Sequence, residues 1–173
     1  MLSPPGRKNP VELFPQIVRK PLEHCEAGEL LRLQWGEWEP FALTATGDQA
    51  QFLVFLSAVG DAKPPLITHL KRPDLPAVSY GSAYRIDVDQ DARYVDLAAS
   101  RLWRKNGVLL VAEDHYVLRL SALPGSQTFG SQYVRLDTGT VVPEPAGNAA
   151  VFGKWSLMLP KGGDRYETLL TIG

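Results

Sequence analysis

At 173 residues, with 45% hydrophobic and 21% charged positions, the chain has the size and composition of one ordinary globular domain, which excludes a disordered polymer. Its 18 basic and 19 acidic side chains leave a net charge of −1, so bulk electrostatics supply no reason to bind nucleic acid or an anionic membrane. Cys25 is the single cysteine and excludes an intrachain disulfide; with no signal-peptide pattern and no run approaching the roughly 18 apolar residues of a membrane helix, the reading is a soluble, cytoplasmic chain with no membrane partner.

The first segment carries Pro4, Pro5, Pro10, Pro15 and Pro21, a spacing that sustains neither a helix nor a central strand. Residues 1–26 are therefore expected to form a proline-rich arm, with a weak short helix over 11–19 as the local alternative, and residues 27–173 a single β-rich domain. From Glu29 onward the period is two: Leu31, Leu33 and Trp35 alternate with Arg32 and Gln34. Residues 41–46 continue the strand signal, a turn at 46–49 follows, and the apolar run of residues 51–57 predicts a central strand buried on both faces. Residues 66–70, bracketed by Pro64, Pro65, Pro73 and Pro76, predict a short strand at a sheet edge. Over 78–89, Val78, Tyr80, Tyr84, Ile86 and Val88 share one face, and Ser79, Arg85, Asp87 and Asp89 the other.

Helical spacing interrupts this rhythm over 92–105. Val95, Ala98, Ala99 and Leu102 lie on one face, Asp91 stands at the N-cap position, and Asn106-Gly107 offers a left-handed stop, so one helix is expected there. The rival reading is a hairpin over 102–110 about the same Asn-Gly turn. Strand signals resume over 108–112, 116–122, 132–136, 151–159 and 166–172. Segments 28–57 and 107–136 share a loose Gly-x-Leu-Leu opening and strand spacing, an echo that four gaps leave short of a duplication. The fold class predicted is mainly β, a sandwich or partly open barrel with one helix near 92–105, with α+β as the alternative.

Catalytic and metal patterns are weak. Asp87-Val88-Asp89-Gln90-Asp91 opens like a calcium loop but lacks its glycine and its bidentate glutamate. Residues 147–154 miss the phosphate-loop spacing, and His24, His69 and His115 have no ligand spacing, so neither a metal nor a cofactor is expected. Arg101-Leu102-Trp103-Arg104-Lys105 interleaves basic and aromatic residues, but a helix dipole accounts for its cations as well as a nucleic acid would. Trp35, Glu37, Trp38 and Glu39 are the candidate ligand-binding residues, two indoles and two carboxylates that could stack on and hydrogen-bond a sugar or form a hydrolase pocket.

The leading functional expectation is a non-catalytic binding or assembly module whose partner is another protein or a second copy. Phe14, Trp38 and Trp103 are its candidate contact aromatics.

Overall fold

Short apolar runs separated by glycine turns give this chain fifteen strands among the residues described by the computed structural model, which are 17–94, 105–112, 115–126, 130–145 and 149–173. They are β1 (Val18–Pro21), β2 (Leu30–Leu33), β3 (Phe41–Thr46), β4 (Gln51–Phe55), β5 (Leu66–His69), β6 (Pro76–Ser79), β7 (Arg85–Val88) and β8 (Arg93–Tyr94). The series continues with β9 (Leu109–Ala112), β10 (His115–Ala122), β11 (Ser131–Arg135), β12 (Thr140–Val142), β13 (Ala150–Phe152), β14 (Trp155–Gly162) and β15 (Arg165–Ile172). The fold is mainly β, as expected. No helix among the described residues is long and apolar enough to cross a membrane.

The pairing repeats. Strands β1 to β6 are joined in the order β1-β6-β2-β3-β4-β5, and β8 to β13 in the order β8-β13-β9-β10-β11-β12. The registers agree residue by residue: Leu30 faces Leu43 as Leu109 faces Leu118, Val54 faces Ile67 as Val134 faces Val141, and Val18 faces Ser79 as Tyr94 faces Val151. Even the strand entry is copied, since the Gly28 N–H donates to the Thr44 carbonyl at 2.8 Å and the Gly107 N–H to the Arg119 carbonyl at 3.0 Å. The chain is a structural duplication, and the echo between 28–57 and 107–136 is its trace in the sequence.

Two equivalent parallel pairings join the repeats: Thr46 faces Thr140 across β3 and β12, and Ser121 faces Leu66 across β10 and β5. They close β3-β4-β5-β10-β11-β12 into a six-stranded barrel. Side chains alternate across each wall. Leu43, Val54, Ile67, Leu118 and Val134 belong to the central core, while Leu31, Ala42 and Leu53 in one repeat, and Leu110, Val117 and Tyr133 in the other, form two smaller clusters under the flanking strands. A three-stranded sheet, β15-β14-β7, packs Trp155 and Leu157 onto the central core.

Several expectations need correction. The barrel, expected to be partly open, is closed, and β5 is not an edge: its prolines lie before and after Leu66–His69, so its N–H groups are free to pair with β4 while it also pairs with β10. The alternation over 78–89 is two strands in different sheets, parted at Gly81 with φ 72°, and in β6 it is Ala77 and Ser79 that are buried. The predicted helix over 92–105 does not begin where expected: residues 90–92 form a single 3-10 turn, and Arg93–Tyr94 is drawn into pairing with β13. Residues 95–104 lie outside the described residues. Val18–Pro21 pairs with β6, so the folded body starts before the expected boundary at 27, and no helix covers Val18 or Arg19.

Candidate functional site

A duplicated scaffold makes its own asymmetries informative. Between β2 and β3 the first repeat has residues 34–40, where the second has only 113–114 between β9 and β10. Between β4 and β5 it carries residues 56–65 where the second has only 136–139. The second repeat is instead longer between β10 and β11, over residues 123–130. These three departures meet at one cleft.

The inserted hairpin is a two-residue turn. Trp35 and Trp38 exchange backbone hydrogen bonds at 2.8 and 3.1 Å around Gly36-Glu37, and Gly36 takes φ 60°, which a glycine adopts without strain. The second insertion ends in a similar turn, with Val59 bridged to Ala62 around Gly60-Asp61 and Gly60 at φ 62°. Trp38 sits between the two turns, its indole within ordinary contact of the space above both Gly36 and Gly60. Trp35 packs edge-on against the buried Phe55, with ring centroids 5.0 Å apart. The resulting cleft, about 470 Å³, is lined by Trp35, Trp38, Val59, Ala62, Leu123 and Pro124, with Gly36, Gly60 and Asp61 completing it.

Trp38 remains 43% exposed, a large apolar side chain held open to solvent. The equivalent place in the second repeat has different chemistry. Phe55 corresponds to Arg135 and Ser57 to Asp137, and Arg135 grips both carboxylate oxygens of Asp137 at 3.0 and 2.5 Å and reaches His115 Nδ1 at 3.1 Å. The Arg135 hydrogen bonds hold the Asp137 carboxyl below its ordinary range.

Of the four residues singled out as a ligand platform, the fold brings Trp35 and Trp38 together and leaves the carboxylates out of the cleft. Glu37 points from the exposed turn, and Glu39 pairs with Arg32 at 2.9 Å beside a separate depression that also includes Arg19. Phe14 and Trp103 lie outside the described residues. The second turn, Val59 to Ala62, and the Leu123-Pro124 wall were missed; the Gly60-Asp61 dipeptide was the available signal, a hairpin turn type like Gly36-Glu37. Asp89, from the calcium-like stretch, is engaged by Lys154 at 3.4 Å and by the Asp91 N–H at 3.0 Å. No group of three metal-ligating side chains occurs among the described residues.

No family model, curated protein or solved structure matches this chain.

Proposed function

We propose that this chain is a non-catalytic assembly module that binds a proline-rich, aromatic-bearing segment in the Trp35–Trp38 cleft, the natural occupant being the proline-rich arm of a second copy. The observation that carries this reading is the convergence of three loops that differ in length between the repeats on one largely apolar, tryptophan-walled cleft. Indole walls are the surfaces that receive extended proline-rich segments, whose backbone is already ordered and loses little entropy on docking. A sugar calls for several carboxylates or amides among the lining; Asp61 is the one acidic residue there, and Glu37 and Glu39 lie elsewhere.

The arm supplies the matching chemistry: Pro4, Pro5, Pro10 and Pro15 with Leu13 and Phe14. Strand direction favours exchange between copies. β1 enters opposite Ser79 and leaves opposite Pro76, and it is the Pro76 end of β6 that adjoins Leu33 and the tryptophan hairpin. Val18 therefore lies at the end of the sheet away from the tryptophan hairpin. A cytoplasmic setting belongs to the same reading, supported by the lone, half-buried Cys25.

Light scattering over a range of concentrations tests the proposal. The mass is expected to rise with concentration, to fall towards the monomer in Trp38→Ala and Phe14→Ala, and to fall likewise when a synthetic peptide of residues 1–16 competes. A strict monomer at the highest concentration, with no change of tryptophan fluorescence on adding that peptide, overturns it.

A further inference from the structure

A second cleft, of about 490 Å³, lies where the barrel wall meets the three-stranded sheet. The barrel contributes Tyr116 and Asp137, the sheet contributes Arg85, Ile86 and Tyr166, and Tyr84 stands between them. Tyr84 is a fixed wall: its hydroxyl donates to the Leu136 carbonyl at 2.6 Å, and burial pushes its phenol well up, so it keeps its proton.

Arg85 is the unusual member. Its guanidinium lies over the Tyr166 ring, 5.6 Å from the centroid, and among the described residues no carboxylate lies within ion-pair distance of it. Asp137, across the cleft, has both oxygens committed to Arg135, and Asp89, on the sheet side, is paired with Lys154. Asp87, two residues along β7 on the same face, makes no ion pair either among the described residues. A guanidinium backed by an aromatic ring presents its fork outward, in a geometry that suits carboxylate and phosphate bidentately. Ser82 and Tyr116, which carry hydroxyl donors, line the same space, as does the apolar Ile86.

We infer that this cleft binds a small organic oxyanion, a carboxylate or phosphate carried on an aromatic or aliphatic ring, with Arg85 holding the anion and Tyr166 and Ile86 flanking the ring. The site is separate from the tryptophan cleft and shares no lining residue with it.

Calorimetric titration of the full chain with phenyl phosphate, benzoate and the neutral benzyl alcohol tests the inference. At least one of the two anions is expected to bind, the stronger identifying the headgroup, while benzyl alcohol does not. Arg85→Gln should weaken the anion about tenfold or more, because a charged hydrogen-bonded pair is lost. Arg85→Lys, which keeps the charge but not the fork, should fall between, and Trp38→Ala should bind as the parent does. Arg85 is exposed, so these variants are expected to fold, and Tyr166→Leu gives a second probe that leaves the charge in place. Failure of both anions to bind, equal binding of benzyl alcohol, or an unchanged affinity in Arg85→Gln overturns the inference.

Discussion

The indole N–H of Trp155 donates to the Gly107 carbonyl at 2.9 Å, tying the three-stranded sheet to the entry of the second repeat. Trp155 is 1% exposed and sits in the central core, so its ring and its hydrogen bond act together. Trp155→Phe should keep most of the packing and cost about 1–3 kcal/mol by leaving the carbonyl unpaired, whereas Trp155→Ala should cost about 3–5 kcal/mol. Denaturant unfolding of the two variants checks the order.

Beside the Thr46–Thr140 pairing, the turn into β12 approaches the Ala27–Gly28 backbone so closely that no side chain is tolerated. A Cβ on Gly139, which has φ 62°, would stand 2.1 Å from the Gly28 nitrogen, whereas one on Gly130, at φ 73°, would meet nothing within 4 Å. Gly130→Ala should cost about 1 kcal/mol from its positive φ alone. Gly139→Ala should cost more than about 3 kcal/mol or prevent folding, and equal melting temperatures for the two would contradict this close approach.

Glu29 is buried and accepts from Lys20 Nζ at 2.8 Å and from Ser79 Oγ at 2.9 Å, while the equivalent positions in the second repeat are Val108 and Val151. Ser79→Val alone removes a partner from a buried carboxylate and should cost about 1–3 kcal/mol. Glu29→Val combined with Ser79→Val copies the apolar pair of the second repeat and should be closer to neutral, so the double-mutant cycle should show a favourable coupling of about 1 kcal/mol or more.

Asp137 makes stability depend on acid. Arg135 lowers its carboxyl pKa in the folded chain, so the native state binds that proton less readily than the unfolded chain does. The stabilisation is present above the unfolded value near 3.9 and is lost as pH falls through the lower folded value. The melting temperature of Asp137→Asn should lie below that of the parent at neutral pH, with the difference closing in strong acid. Because the pair is solvent-accessible, the gap is expected to be small and to shrink further in high salt.

Cys25 should be a poor nucleophile. Burial pushes its thiol up to about 11, and its Sγ lies 3.5 Å from the Pro21 carbonyl. At pH 8 the thiolate is roughly a hundredfold scarcer than for an ordinary thiol, so alkylation of the native chain should be slow and should reach the free-cysteine rate only in denaturant.

The local period of the sequence determined much of the β-structure. Leu31 and Leu33 alternate with Arg32 as their spacing requires, and β4 is covered on both faces because Val54 belongs to the central core and Leu53 and Phe55 to an outer cluster. The tryptophan hairpin was legible as two indoles about a glycine turn. Its second wall was not, because Trp38 reaches Gly60 only once two separate loops are folded together. Arg85 and Asp137 come from different sheets, and no spacing along the chain could have placed them at one cleft.

Barrel closure and duplication were decided by tertiary structure. The pairings of Thr46 with Thr140 and of Ser121 with Leu66 join residues far apart in the chain, and a strand's period of two fixes which face is apolar but not which strand lies beside it. The repeats keep their backbone registers while their side chains diverge, with Glu29 against Val108, Ser79 against Val151 and Phe55 against Arg135. Backbone hydrogen bonds maintain a register without regard to side-chain identity, so the symmetry persisted in the fold after it had faded from the sequence.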